Sequence, residues 1–233
     1  MQFNYHLTLR NFALTLCLTL GACATQKSIT TNVEYQSRWI NASIFDATEH
    51  NDGSLYSFNF DIDFTNNKEE TFKVTGCLDV QSIGEERIAS REFTRWTLLK
   101  DDCEVVSRFY SSPKKSINYW PDNFDYPFIK SIPATAIPYF SNQGLDNRNG
   151  TLSEQEPTLT FIEAGQYNVK VSFDGMVVDY ELAARGDFNR DGYQDLFIRM
   201  SWYIEEAFGD GYSWVVLTKL SPEAPPMILW QKH

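Results

Sequence analysis

Apolar and polar residues alternate strictly through the stretch Leu55 to Phe64. Tyr56, Phe58, Phe60, Ile62 and Phe64 fall on one side, and Ser57, Asn59, Asp61 and Asp63 on the other. A period of two is the mark of a β-strand with one buried face. Phe72 to Val80 and Cys103 to Tyr110 read as further strands. Tyr35 to Ile44 mixes Tyr35, Trp39, Ile40 and Ile44 with polar residues and fits a strand or a short helix equally. Between Ser111 and Pro157 the pattern changes. Prolines stand at 113, 121, 127, 133, 138 and 157, which rules out long sheet strands, and Phe124 to Phe140 is expected to form short helical turns against a sheet. Regular patterning then returns. Tyr167 to Phe173 and Met176 to Ala184 flank Asp174-Gly175, a two-residue hairpin turn, and Leu196 to Ile204, Tyr212 to Leu220 and Met227 to Trp230 continue a meander. The expected fold is mainly β, with α+β as the alternative: antiparallel sheets ending in a C-terminal meander. Residues 35–157 form the N-terminal β-rich part with its Pro-rich connection, and 158–233 the meander.

Between two of the meander strands lies Gly186 to Leu196, Gly-Asp-Phe-Asn-Arg-Asp-Gly-Tyr-Gln-Asp-Leu. Alternating oxygen-bearing side chains closed by a glycine suit a hard cation, because Ca²⁺ takes six to eight oxygens and the turn needs a residue without a Cβ. The stretch resembles the FG-GAP or integrin-type repeat, whose core is Asp-x-Asp/Asn-x-Asp-Gly-x-x-Asp-Leu. That resemblance implies a structural Ca²⁺ held by the side chains of Asp187, Asn189, Asp191 and Asp195 and by the backbone carbonyl of Tyr193. An EF-hand would need a Glu at loop position 12, which here is Ile198. Arg190 stands where the family often has Gly, and one copy does not make a propeller. Three carboxylates within about 4 to 6 Å repel by several kcal/mol at an effective dielectric near 20. A cation relieves this; Arg185, Arg190 or Arg199 would be the alternative, and an Asx-rich turn that binds nothing is the plainest one.

The chain opens with one formal positive charge and no acid through Arg10, followed by the apolar run Phe12 to Leu20. Too short to span a bilayer, the run fits a secretory signal over residues 1–22. Leu20-Gly21-Ala22-Cys23 resembles the lipobox of bacterial lipoproteins, which implies lipidation of Cys23, a flexible tether over 23–34 and anchoring in a membrane. Ala24 after the lipidated position implies sorting to the outer membrane of a Gram-negative cell. With Cys17 removed and Cys23 acylated, Cys77 and Cys103 remain for a disulfide in an oxidising envelope, or as two free buried thiols. The formal charge is −11, and there is no basic patch for phosphates, so nucleic acid is not an expected partner.

Histidine is scarce: beyond the signal only His50 and His233 remain, which excludes a His-built zinc centre. No Gly-x-Ser-x-Gly elbow is present. Paired carboxylates are the one catalytic device left, at Asp101, Asp102 and Glu104 or at Glu205 and Glu206, as a glycan hydrolase would need. Tyr119, Trp120, Phe124, Tyr126 and Phe128, interleaved with Asp and Asn, are candidates to stack on a glycan or an envelope protein; a proline-stiffened loop covering the sheet is the alternative. The expected role is non-enzymatic, binding or structural, at the cell envelope. Hydrolysis of a glycan, or inhibition of another enzyme, is the alternative.

Overall fold

The structure, a computed structural model, describes residues 34–41, 59–138, 145 and 147–232. The signal segment 1–22, Cys23, most of the tether, His50, the first residues of the Leu55–Phe64 alternation and His233 lie outside the described residues. The fold is mainly β, with antiparallel sheets and a C-terminal meander.

The meander is β6 (Thr160–Ala164), β7 (Asn168–Phe173), β8 (Met176–Gly186), β9 (Asp195–Ile204), β10 (Asp210–Thr218) and β11 (Met227–Lys232), hydrogen-bonded in sequence order. Asp174 and Gly175 turn β7 into β8 with φ of 48° and 75°, the left-handed pair that a tight hairpin requires. β2 (Arg38–Trp39) joins the same sheet by pairing with Arg185 and Ala184 of β8. β6 was not anticipated: all its residues are exposed, so no buried face imposes an alternation on its sequence.

Both faces of this sheet are covered. Val178, Tyr180, Leu182, Leu196, Ile198, Met200, Val215 and Leu217 form one core with Trp120, Phe124, Phe128, Ile129, Ile132 and Leu152 of the Pro-rich stretch. Ala184, Phe197, Trp214 and Val216 join the other. Strands buried on both sides carry continuous apolar runs, as Trp214-Val215-Val216-Leu217 does. The Pro-rich stretch contains the short strand β5 (Lys115–Ile117), which pairs with β1 (Glu34–Gln36), and two short helices: α3 (Tyr126–Ser131), within the turns expected over Phe124 to Phe140, and α4 (Leu152–Gln155), which was not anticipated. Asp125 caps α3 through the Phe128 N–H at 2.9 Å, with Pro127 in its first turn.

The second face corrects two expectations. β3 (Asn59–Thr65) and β4 (Thr71–Gly76) form a hairpin, but the strand expected from Phe72 to Val80 stops at Gly76 and the chain turns into α1 (Cys77–Ser82). Asp79 draws it round: its carboxylate accepts the Thr75 N–H at 2.8 Å and the Thr75 hydroxyl at 2.7 Å. Cys103 to Tyr110 is not a strand. It is the second half of α2 (Phe93–Ser111), whose buried Trp96, Leu99, Cys103 and Val106 recur at three- and four-residue spacing. The part from 35 to 157 is therefore mixed α and β, and its longest element is helical. Cys77 and Cys103 are joined, with Cα atoms 5.4 Å apart, so the bridge ties α1 to α2 where two strands had been expected. Among the described residues no helix is long and apolar enough to cross a membrane.

Candidate functional site

The Asp187–Asp195 loop spans the connection between β8 and β9, closed at its base by the Gly186–Asp195 register pair. Its shape comes from side chains that accept backbone N–H groups. Asp187 takes Asp191 N–H at 3.0 Å and Gly192 N–H at 2.9 Å, one on each carboxylate oxygen, and Asp191 takes Tyr193 N–H at 2.8 Å. Asn189 accepts from Asp191 N–H at 3.1 Å and donates to the Asp191 carboxylate at 2.8 Å. Arg190 and Gly192 sit at φ of 65° and 91°, the left-handed region that costs glycine nothing and arginine about 1 kcal/mol. Phe188, buried beneath, fixes the loop to the core with its ring 4.4 Å from that of Phe197. Laterally, Ile117 N–H donates to Gly192 C=O at 2.9 Å and Gln194 N–H to Ile117 C=O at 2.8 Å, so β5 clamps the loop's outgoing limb.

Asp187 and Asp195 are buried, while Asn189 and Asp191 are exposed. Asp195 accepts the Phe188 N–H on Oδ2 at 2.7 Å, but its Oδ1 is shielded from solvent and makes no hydrogen bond of ordinary geometry; nor does the hydroxyl of the neighbouring Thr218. Burial pushes the Asp195 carboxyl up to about 7. The Thr218 hydroxyl and the Phe188 N–H pull it down, and the charges of Asp191 and Asp187 push it further up. None of the three arginines offered as an alternative to a metal serves as one. Arg190 donates to Ser111 C=O at 2.8 Å, Arg199 pairs with Glu181 at 2.9 Å, and among the described residues no ion pair involves Asp187, Asp191 or Asp195. The donor set thus suits Ca²⁺ in kind, and the stranded Oδ1 is an oxygen for which a cation is the natural partner. As placed, however, no group of three or more acidic, His or Cys side chains among the described residues converges on one point. Tyr193, whose carbonyl was assigned to the ion, rests its ring on Tyr119 with centroids 5.5 Å apart.

Three of the five rings of the aromatic segment are withdrawn from solvent, while Tyr119 and Tyr126 are half-buried. Trp120, Phe124 and Phe128 are each 5% exposed and belong to the core beneath the sheet, and the Trp120 indole N–H donates to Gln194 C=O. Tyr126 hydrogen-bonds Leu159 C=O at 3.1 Å. Burial removes Trp120, Phe124 and Phe128 as a stacking platform. What this segment offers to solvent is polar: Asn118, Asp122 and Asn123 line a cavity beside the loop.

The carboxylates considered for hydrolysis are spoken for. Asp102 accepts from Tyr212 O–H at 2.9 Å and Trp214 Nε1–H at 3.0 Å, and Asp101 and Glu104 face Lys232 at 3.3 and 3.5 Å. These contacts fasten α2 to β10 and β11. Glu205 and Glu206 occupy the exposed turn between β9 and β10. Comparison with protein-family models, with curated proteins and with solved structures finds no match for this chain.

Proposed function

We propose that this chain is a calcium-stabilised, non-enzymatic binding protein of the bacterial cell envelope, tethered to the outer membrane through acyl chains on Cys23. The observation that carries the calcium part is the buried Oδ1 of Asp195, which no hydrogen bond of ordinary geometry satisfies although the Thr218 hydroxyl lies near, in a loop whose other buried carboxylate is Asp187. Asp187, Asn189, Asp191 and Asp195 would hold the ion with the Tyr193 carbonyl. Bound there, Ca²⁺ would neutralise the mutual repulsion of the three carboxylates and fix the β8–β9 connection. The loop's residues already supply its turns through the Asp187 and Asp191 bonds to backbone N–H groups. Asn189 and Asp191 are exposed and bonded to each other, and would exchange that bond for the ion on turning inward. Against a hydrolase stands the commitment of Asp101, Asp102 and Glu104 to the α2 attachment.

Thermal melting of the purified protein in EDTA and across a calcium titration tests the ion. Exported loop sites bind at about 10⁻⁴ to 10⁻³ M. Stabilisation should therefore emerge near millimolar calcium and reach roughly 2.7 kcal/mol at a hundredfold excess over Kd. Asp191→Ala should abolish the response and lower the EDTA melting temperature only slightly, because the exposed Asp191 side chain gives up its bonds to the Tyr193 N–H and the Asn189 amide. A melting temperature indifferent to calcium at every concentration would reduce the loop to an Asx turn. For the tether, fatty-acid labelling of the full chain is expected to vanish in Cys23→Ser; a labelled variant, or an unlabelled wild type, removes the anchor from the proposal.

A further inference from the structure

A cavity of about 500 Å³ opens where β1 and β2, the Asn118–Asp125 segment, the β6–β7 turn and the outgoing limb of the Asp187–Asp195 loop meet. Two arginines from distant parts of the chain line it. Arg38 of β2 and Arg185 of β8 are direct cross-strand partners. Like charges directly opposite one another in a sheet are destabilising unless something answers them. Among the described residues no ion pair does so here. Arg91, Arg95, Arg108, Arg148 and Arg199 each pair with a glutamate, whereas neither Arg38 nor Arg185 forms an ion pair or side-chain hydrogen bond among the described residues. Burial, and then the charge of Arg38, hold the Arg185 guanidinium below its usual range, with Asp122 opposing. A second observation points the same way. Gln194 is 1% exposed and lines the cavity, yet among the described residues its side-chain amide has no hydrogen-bond partner, and its Oε1 is shielded from solvent. A buried amide oxygen without a partner, at the wall of a cavity, is an acceptor that a ligand hydroxyl can satisfy.

We propose that this cavity binds a sugar bearing a single carboxylate, the carboxylate lying between Arg38 and Arg185 and the ring hydroxyls meeting the Gln194 and Asn118 amides. Planar guanidinium forks match a carboxylate bidentately. The rim also carries Asp122 and Asp125, which disfavour a dianion such as a phosphate monoester and favour a monoanion. Tyr35 and Tyr167, also lining the cavity, offer the flat apolar faces on which a pyranose rests. A volume of about 500 Å³ lies within the range of small-molecule sites. The ligand specifies the binding role proposed above and rests on it, but the cavity does not depend on the calcium assignment.

Isothermal titration of the full chain in detergent micelles with D-glucuronate, D-glucose and inorganic phosphate, each in calcium and in EDTA, tests the proposal. Glucuronate should give a saturable heat, with glucose and phosphate at least tenfold weaker. Arg38→Gln, at an exposed side chain, and Arg185→Gln should each weaken glucuronate tenfold or more without lowering the melting temperature, since each also relieves the repulsion between the two arginines. No glucuronate binding, tighter binding of phosphate, or binding untouched by both substitutions overturns the proposal. Glucuronate binding without any calcium response would strike out the ion and keep the cavity. A calcium response without glucuronate binding would do the reverse.

Discussion

Replacing Cys77 and Cys103 together by alanine is expected to lower the unfolding free energy by about 3.5 kcal/mol, the chain-entropy value for a loop of this span. The bridge joins residues 26 apart in sequence and ties α1 to α2. Its two sulfurs are 2% and 3% exposed and sit in the core beside Val74, Val80, Trp96 and Leu99. The substitution therefore acts twice. It frees the unfolded chain, and it removes two sulfur atoms from packed surroundings, which adds a small cavity cost. Denaturation of the wild type with and without reductant separates these, since reduction opens the loop while keeping the sulfurs. The reductant alone should recover most of the loss. A loss under 1 kcal/mol in both cases would mean that α1 and α2 hold their places by apolar packing, with the bridge a bystander.

That bridge also shows where the sequence was legible and where it was not. The meander could be read because its punctuation is local: Asp174-Gly175 names its own turn type, and β8 to β10 each carry long apolar runs. α2 could not be read from its C-terminal half. Cys103 to Tyr110 holds Val105-Val106 and Phe109-Tyr110, β-branched and aromatic pairs that suit a strand over eight residues. Only the full span reveals the helical period of Trp96, Leu99, Cys103 and Val106, because the charged residues Lys100, Asp101, Asp102 and Glu104 stand among them, Lys100 paired with Glu85 and the three acids tied to β10 and β11. The aromatic segment failed for another reason. Trp120, Phe124 and Phe128 recur every fourth residue, as on one face of a helix, but Pro121 and Pro127 interrupt that reading and only Tyr126–Ser131 is helical, so nothing local says that the three rings cover a sheet together. At the candidate site, the oxygen donors were legible as a motif. The Arg38–Arg185 pair was not, since 147 positions separate partners that meet only through the β2–β8 register.

Raising the pH from about 4 to about 7 should weaken the fold, and Asp102→Asn should remove a large part of that dependence. Asp102 lies between α2 and β10, and burial pushes its carboxyl up to about 7 despite the hydrogen bonds from Tyr212 and Trp214 and the nearby charge of Arg199. A carboxyl whose folded pKa exceeds its unfolded value binds its proton more tightly when folded. Its contribution is therefore complete below about pH 4, declines as the pH climbs towards 7, and stays lost above it. At about 1.4 kcal/mol per pH unit, a displacement from 3.8 to about 7 amounts to roughly 4 kcal/mol, reduced to the extent that water still reaches the partly exposed side chain. Asparagine can hold the site in both respects: its carbonyl accepts the Trp214 N–H, and its amide donates to the Tyr212 oxygen. The variant should match the wild type near pH 4 and exceed it at pH 8. Asp195, also displaced upward to about 7, and Asp101 and Asp179, raised by burial, leave a residual slope in both proteins. The difference between the two curves isolates Asp102. Parallel curves across this window would show that the Tyr212 and Trp214 hydrogen bonds fully compensate the buried charge. The attachment of α2 to the sheet would then be indifferent to the proton.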